Sequence, residues 1–230
     1  MTDTPVPSGP VRVRATKKAE FWGRAWPQGA SDRSNVRGGR RLKLLSIALG
    51  ALTILVSASG PGHAGSTMML TGDAFAPPAF SAFCKRERRL CDSQSGKKVV
   101  DLSPDRLQEL RAVNADVRKR VRERDDLPAT GKTDDWRLAT REGDCEDIAI
   151  AKKAELMKKG WPASALLLTV ARQRFSEEGH TVLTVRTSDG DLILDNLTPS
   201  VKDWSRTPYR YFARQSQTQT GKWERIGSGD

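Results

Sequence analysis

Apolar positions repeat at helical intervals in one part of the chain and alternate in another. Leu107, Leu110, Val113, Val117 and Val121 recur three and four residues apart, with charges between them. That spacing predicts an amphipathic helix. Ser103-Pro104-Asp105 supplies its start: an N-cap serine, a proline in the first turn and an early acid. The helix is expected to end near Asp125-Asp126, before a loop over Leu127 to Asp135 that holds Pro128 and Gly131. A second helix is expected from Cys145 to Lys159, stopped by Gly160 and Pro162. Strand patterns follow: an apolar run from Ala165 to Val170, an alternating stretch from Thr181 to Thr187, and Asp191 to Asn196. Ser188-Asp189-Gly190 reads as the turn between the last two. Helices first and then an antiparallel sheet argue for an α+β fold. Residues 65–80 read as a loose lead-in, and the polar stretch from Gln215 to Thr220 as a tail pinned by Trp223. Trp136 reads as core, with a cleft wall as the other reading.

Ahead of this domain the pattern differs. Arg40, Arg41 and Lys43 precede a charge-free apolar run, Leu44 to Val56, followed by small residues up to Gly62-His63-Ala64. This is the layout of a cleavable secretory signal. The run is short for a bilayer span, which needs about 20 apolar residues. Residues 1–39 are rich in Pro, Gly, Arg and Ser without apolar period, and read as a disordered extension. A translation start near Val36 would remove most of it. The expected organisation is therefore extension 1–39, signal peptide 40–64 and one globular domain over 65–230. The predicted location is the periplasm or the exterior.

The formal charge of +11 does not indicate nucleic-acid binding. The first 64 residues hold 10 basic and 3 acidic side chains, and the other 166 hold 29 and 25. The excess lies mostly in the leader, and no base-stacking or groove-reading motif accompanies it.

Three cysteines remain to be placed. In an exported chain, Cys84 and Cys91 read as a small-loop disulfide, with two free thiols as the alternative. Cys145 is left over, within Gly143-Asp144-Cys145-Glu146-Asp147 at the predicted helix start. Helix N–H groups and the dipole favour a thiolate there. His180 is the one imidazole left once His63 goes with the signal. Asp195 lies 15 positions on, and a hairpin with an even loop puts both on one sheet face. A thiolate nucleophile, an imidazole proton carrier and an orienting carboxylate make a cysteine hydrolase. The Cys145 backbone N–H is the candidate oxyanion donor. A turn centred on Asp189-Gly190 would set Asp195 opposite Thr184, so the site needs a bulge or a shifted turn. Otherwise Cys145 is an inert core thiol, His180 a surface residue and Asp195 a turn former.

Asp144, Glu146 and Asp147 crowd the thiol and oppose its ionisation. Asp144 as N-cap uses one carboxylate. A hard cation such as calcium on the others would relieve the conflict. Simple helix capping by these acids is the alternative.

Gly143-Asp144-Cys145-Glu146-Asp147-Ile148-Ala149, His180-Thr181-Val182-Leu183 and Leu192-Ile193-Leu194-Asp195-Asn196 together resemble the bacterial transglutaminase-like cysteine peptidases, the LapG-like group. Phe83-Cys84 with Cys91, and Thr207-Pro208-Tyr209-Arg210-Tyr211, also look like that family. Its members often carry an aromatic after the second Asp of the block, where Ile148 stands. The resemblance implies a papain-like fold, with the nucleophile helix packed on a small antiparallel sheet. It implies a Cys145, His180, Asp195 triad and calcium held by Asp144 and Glu146. It also implies a protein substrate such as a cell-surface adhesin, and a regulatory inner-membrane partner. Transglutaminase-type acyl transfer shares the same acyl-enzyme. A non-catalytic calcium-dependent binding module of the same fold is a separate possibility, kept open by the acids around the thiol.

N-terminal sequencing of the exported protein is expected to begin at Gly65. A first residue upstream of Arg40 would rule out the proposed signal.

Overall fold

A computed structural model describes residues 65–126, 131, 134–176 and 178–227. The expected extension and signal peptide, and much of the loop after Asp126, lie outside the described residues. In chain order the elements are β1 (Leu70–Ala74), α1 (Phe80–Arg86), α2 (Arg88–Cys91), α3 (Pro104–Arg120), β2 (Arg122–Glu123), β3 (Glu142–Gly143) and α4 (Cys145–Lys158). Then come β4 (Leu166–Gln173), β5 (Gly179–Thr187), β6 (Gly190–Leu194), β7 (Lys202–Asp203), β8 (Tyr209–Gln215) and β9 (Trp223–Ile226). The fold is α+β, as expected.

The sheet is larger than the three strands read from the pattern. Seven strands run in the order β1-β9-β8-β4-β5-β6-β7, all antiparallel. The lead-in contributes edge strand β1, and the stretch read as a polar tail is the turn between β8 and β9. Their charges hid them: Tyr209–Gln215 carries two arginines, so its apolar signal is weak. β4 is flanked on both sides and buried almost throughout, which is why it reads as an unbroken apolar run.

Helices α3 and α4 stack on one sheet face. Leu110, Val113 and Val117 of α3 meet Ile148, Ile150 and Leu156 of α4 above Leu166, Leu168, Leu183 and Val185. Helix α4 is buried nearly all round, even at Lys152 and Lys153. Lys153 is tolerated because its ammonium donates to the Asp92 carbonyl at 2.7 Å and to Gln215 Oε1 at 3.3 Å. Burial pushes it down to about 7. Gly160, in the left-handed region at φ 81°, lets the chain leave α4. A smaller cluster of Met68, Ala171, Val182, Ile193, Tyr209, Tyr211 and Ile226 covers the other face.

Trp136 is core rather than a cleft wall. It packs edge-to-face on Phe80 and Trp223, with ring centroids 5.4 and 6.0 Å apart. Cys84 and Cys91 form a disulfide that joins α1 to α2.

The first long helix ends earlier than its periodicity predicts. At Val121 the backbone turns extended, and β2 pairs in parallel with β3 through Arg122 and Glu142. Glu142 then bonds Arg122 at 3.0 Å and Arg124 at 2.7 Å. Val121 keeps its core position, so apolar spacing alone could not reveal the break. The consequence is functional: Asp125 and Asp126 leave the helix and run alongside the Gly143–Asp147 block.

Replacing Trp223 by Ala is expected to cost about 3–5 kcal/mol, read as a lower urea midpoint. A cost below about 1 kcal/mol would mean the tail strands contribute little to the core.

Candidate active site

Cys145 is the first residue of α4 and is nearly buried. Together with His180 it lines a cleft at the sheet end, bordered by Glu123, Asp125, Asp144, Gln173, Glu178, Gly179 and Leu197. Asp144 occupies the N-cap position, but its side chain makes no capping hydrogen bond, contrary to the expected role. Its carboxylate lies among other acids instead.

His180, at the start of β5, is buried rather than a surface residue. Its Nε2 lies 2.8 Å from Asp195 Oδ1. The β5–β6 register explains the approach. Thr187 pairs with Gly190 and Leu183 with Leu194, so the turn is two residues, Ser188-Asp189. This is the shift toward His180 that the site requires. Extending the pairing sets Asp195 against Val182, not Thr184, and His180 falls diagonally across from it. Diagonal same-face partners are within side-chain reach. Asp195 is also a turn former, since Oδ1 accepts the Leu197 N–H at 3.0 Å. Both readings of this residue hold at once. Burial disfavours its charge, but the His180 hydrogen bond and charge, the Tyr209 hydroxyl and the Leu197 N–H outweigh it and hold Asp195 at about 2.

The loop after Asp195 is tied to α3. Asn114 Nδ2 donates to the Thr198 and Pro199 carbonyls at 3.1 Å each, and Arg118 Nε to the Asn196 carbonyl at 2.5 Å. The two side chains lie four residues apart and so share a helix face. Sequence reading gave neither a role.

Beside Cys145 lies a cluster of carboxylates, buried at Asp126, Asp144, Glu146 and Asp147 and half-buried at Asp134. Oxygens of Asp126, Asp134 and Glu146 lie within 4.8 Å of one another, as do those of Asp126, Asp144 and Asp147. Asp144 and Glu146, the expected ligands, fall in different groups, and Asp126 belongs to both. Asp126 and Asp134 were not predicted as ligands, whereas the charge argument had set a cation on Glu146 and Asp147. The pairs Asp125-Asp126 and Asp134-Asp135 around a Pro/Gly loop were the available signal. Asp134 is steadied by the Trp136 indole N–H at 3.0 Å, and Asp126 Oδ2 accepts the Asp135 N–H. Asp147 accepts the Arg137 N–H at 2.8 Å and faces its guanidinium at 3.3 Å.

Burial, then the charges of Asp144 and Glu146, push Asp147 up to about 9 despite Arg137. The Cys145 thiol donates to Glu146 Oε2 at 3.1 Å. Hard oxygen donors, close-set and mostly buried, suit an oxygen-seeking divalent cation such as calcium. Gly143 permits the crowding, because a Cβ there would lie 2.6 Å from Asp147 Cβ and 2.8 Å from its Oδ2.

The family described as bacterial transglutaminase-like cysteine proteinase (BTLCP) matches residues 70–230. The chain belongs to this family. It is a cysteine peptidase, and its substrate class is protein. Among solved structures, calcium-bound LapG of Legionella pneumophila is 26% identical, with 67% of this chain and 86% of that one covered and a TM-score of 0.45. EGTA-treated LapG of the same organism is 24% identical, with 67% and 82% covered and a TM-score of 0.45. A comparison with curated proteins found no match.

With metal chelated, stability is expected to fall as pH rises from about 4 to about 9. Asp147 binds its proton more tightly folded than unfolded, so the folded state loses ground across that window. Asp147→Asn should flatten the trend in urea midpoints measured across that range. Parallel slopes in the two proteins would contradict the assignment.

Proposed function

We propose that this peptidase is an exported endopeptidase that cleaves a protein substrate through Cys145, His180 and Asp195. The observation that carries the reading is the 2.8 Å contact between His180 Nε2 and Asp195 Oδ1 beside the cleft that Cys145 lines. With Nε2 turned to Asp195, Nδ1 is the nitrogen left to exchange a proton with the thiol. The Cys145 thiolate attacks the scissile carbonyl, and the peptide C–N bond breaks as the imidazolium protonates the leaving amine. Water activated by the neutral imidazole then hydrolyses the thioester. Asp195 keeps the imidazole oriented and supports its positive charge. The α4 N-terminus and the Cys145 N–H favour the developing oxyanion.

Calcium is the proposed metal, held by Asp126, Asp134, Asp144, Glu146 and Asp147. When bound it would supply positive charge that offsets the acids and draws Glu146 away from acting as acceptor to the thiol. Removing it should leave Cys145 beside the Glu146 carboxylate without that added charge, which disfavours the thiolate. A cell-surface adhesin as substrate, a regulatory inner-membrane partner and a periplasmic or exterior location follow from the family resemblance and the leader sequence.

The test is alkylation of Cys145 by iodoacetamide across pH in calcium and in chelator, alongside cleavage of candidate substrates. Rapid alkylation well below pH 8, abolished in Cys145→Ser and about a hundredfold slower in His180→Ala, is expected. Chelation should slow it, and Asp126→Asn should raise the calcium concentration needed by about tenfold. An ordinary thiol profile in calcium would instead favour a binding module. Transfer to an added amine, seen by mass spectrometry, would favour transglutaminase chemistry over hydrolysis.

A further inference from the structure

Asp195 stands one residue beyond the end of β6, where no ladder hydrogen bond fixes it. Its carboxylate is nonetheless met from three sides. Oδ1 accepts His180 Nε2 and the Leu197 N–H, and Oδ2 accepts the Tyr209 hydroxyl at 2.5 Å. A carboxylate held at one oxygen can still rotate about its χ2 torsion. Donors on both oxygens fix its plane.

Tyr209 is built to hold that place. It is the first residue of β8, is buried, and pairs with Gln173 of β4. Arg174 Nε donates to its carbonyl at 3.2 Å. Strands β4 and β5 lie between β8 and β6, and the Tyr209 hydroxyl and the Asp195 carboxylate meet across that gap. Ala171 and His180 pair across β4 and β5, and the Tyr209 ring centroid lies 5.2 Å from that of His180 with a 35° tilt. The small Ala171 leaves room for the ring. The phenol therefore bonds the carboxylate and also borders the imidazole. Lys152 of α4 is buried nearby, pushed down to about 7 by burial though the Asp195 charge opposes this, and Arg118 of α3 holds the following loop.

We propose that Tyr209 is a positioning residue of this site: its hydroxyl locks the Asp195 carboxylate in the plane that holds the His180 imidazole toward Cys145. The inference rests on the triad reading above. A buried tyrosine that merely satisfies its own hydroxyl would pack identically, so the test must read the imidazole and not only stability.

The experiment uses the calcium-loaded full chain, with its two histidines labelled with nitrogen-15 and the His180 signals identified with His180→Gln. In the wild type a hydrogen-bonded Nε2 proton at low field is expected. In Tyr209→Phe that signal should broaden or move upfield, and Cys145 alkylation at pH 7 should slow about tenfold. In an Asp195→Asn background the Tyr209→Phe change should add almost nothing, because the two act as one unit. A slowly exchanging Tyr209 hydroxyl proton, present in the wild type and lost in Asp195→Asn, gives a second reading that does not need the Phe variant to fold. Unchanged His180 signals in Tyr209→Phe would overturn the proposal, and so would additive losses in the double variant. If His180→Gln alkylates as fast as the wild type, the triad reading fails. The nitrogen-15 and hydroxyl signals would still report separately on the Tyr209–Asp195–His180 geometry.

Discussion

Helix α4 lies against β5 and β4 because its inner positions are small or aliphatic: Ile148, Ala149, Ile150, Ala151 and Leu156 are all buried. That packing sets where the first turn of the helix ends up, and Cys145 is the first turn. The sheet contributes His180 and Asp195 from the far face, at the end where β5 begins and β6 stops. Loss of the α4–β5 interface would separate the thiol from the imidazole while leaving each element's local structure intact. The same burial carries a cost, seen in two lysines inside the fold and in the hydrogen bonds that Lys153 requires.

Beside the nucleophile the protein gathers acids that ordinary folding would keep apart. Asp126, Asp134, Asp144, Glu146 and Asp147 are brought together by an interrupted helix, a two-residue parallel ladder and a helix start. One of them is driven toward neutrality by the others. The arrangement suits an oxygen-seeking cation, and Glu146 joins that cluster to the Cys145 thiol.

Much of this was legible from local pattern. The nucleophile helix, the β5–β6 hairpin, the disulfide pair and the residues Cys145, His180 and Asp195 all show themselves through periodicity, turn chemistry and motif. Those signals are local because helices and hairpins form between near neighbours in sequence. The strands β1, β8 and β9 were hidden because edge and arginine-bearing strands lack a clean alternation. Asn114 and Arg118 carried no signal for their roles, and Tyr209 showed only within a family-like stretch, since each acts across a long sequence separation.

Residue order alone thus specified an α+β domain with a thiol at a helix start, followed by a histidine and an aspartate on one face of a hairpin. The three-dimensional fold settled which turn register sets His180 diagonal to Asp195, where α3 breaks, and which distant acids converge beside Cys145. The division is physical. Short-range order follows from backbone periodicity and turn residues. The early helix break and the acid cluster depend on pairing between segments about 20 residues apart, whose burial outweighs local helix preference.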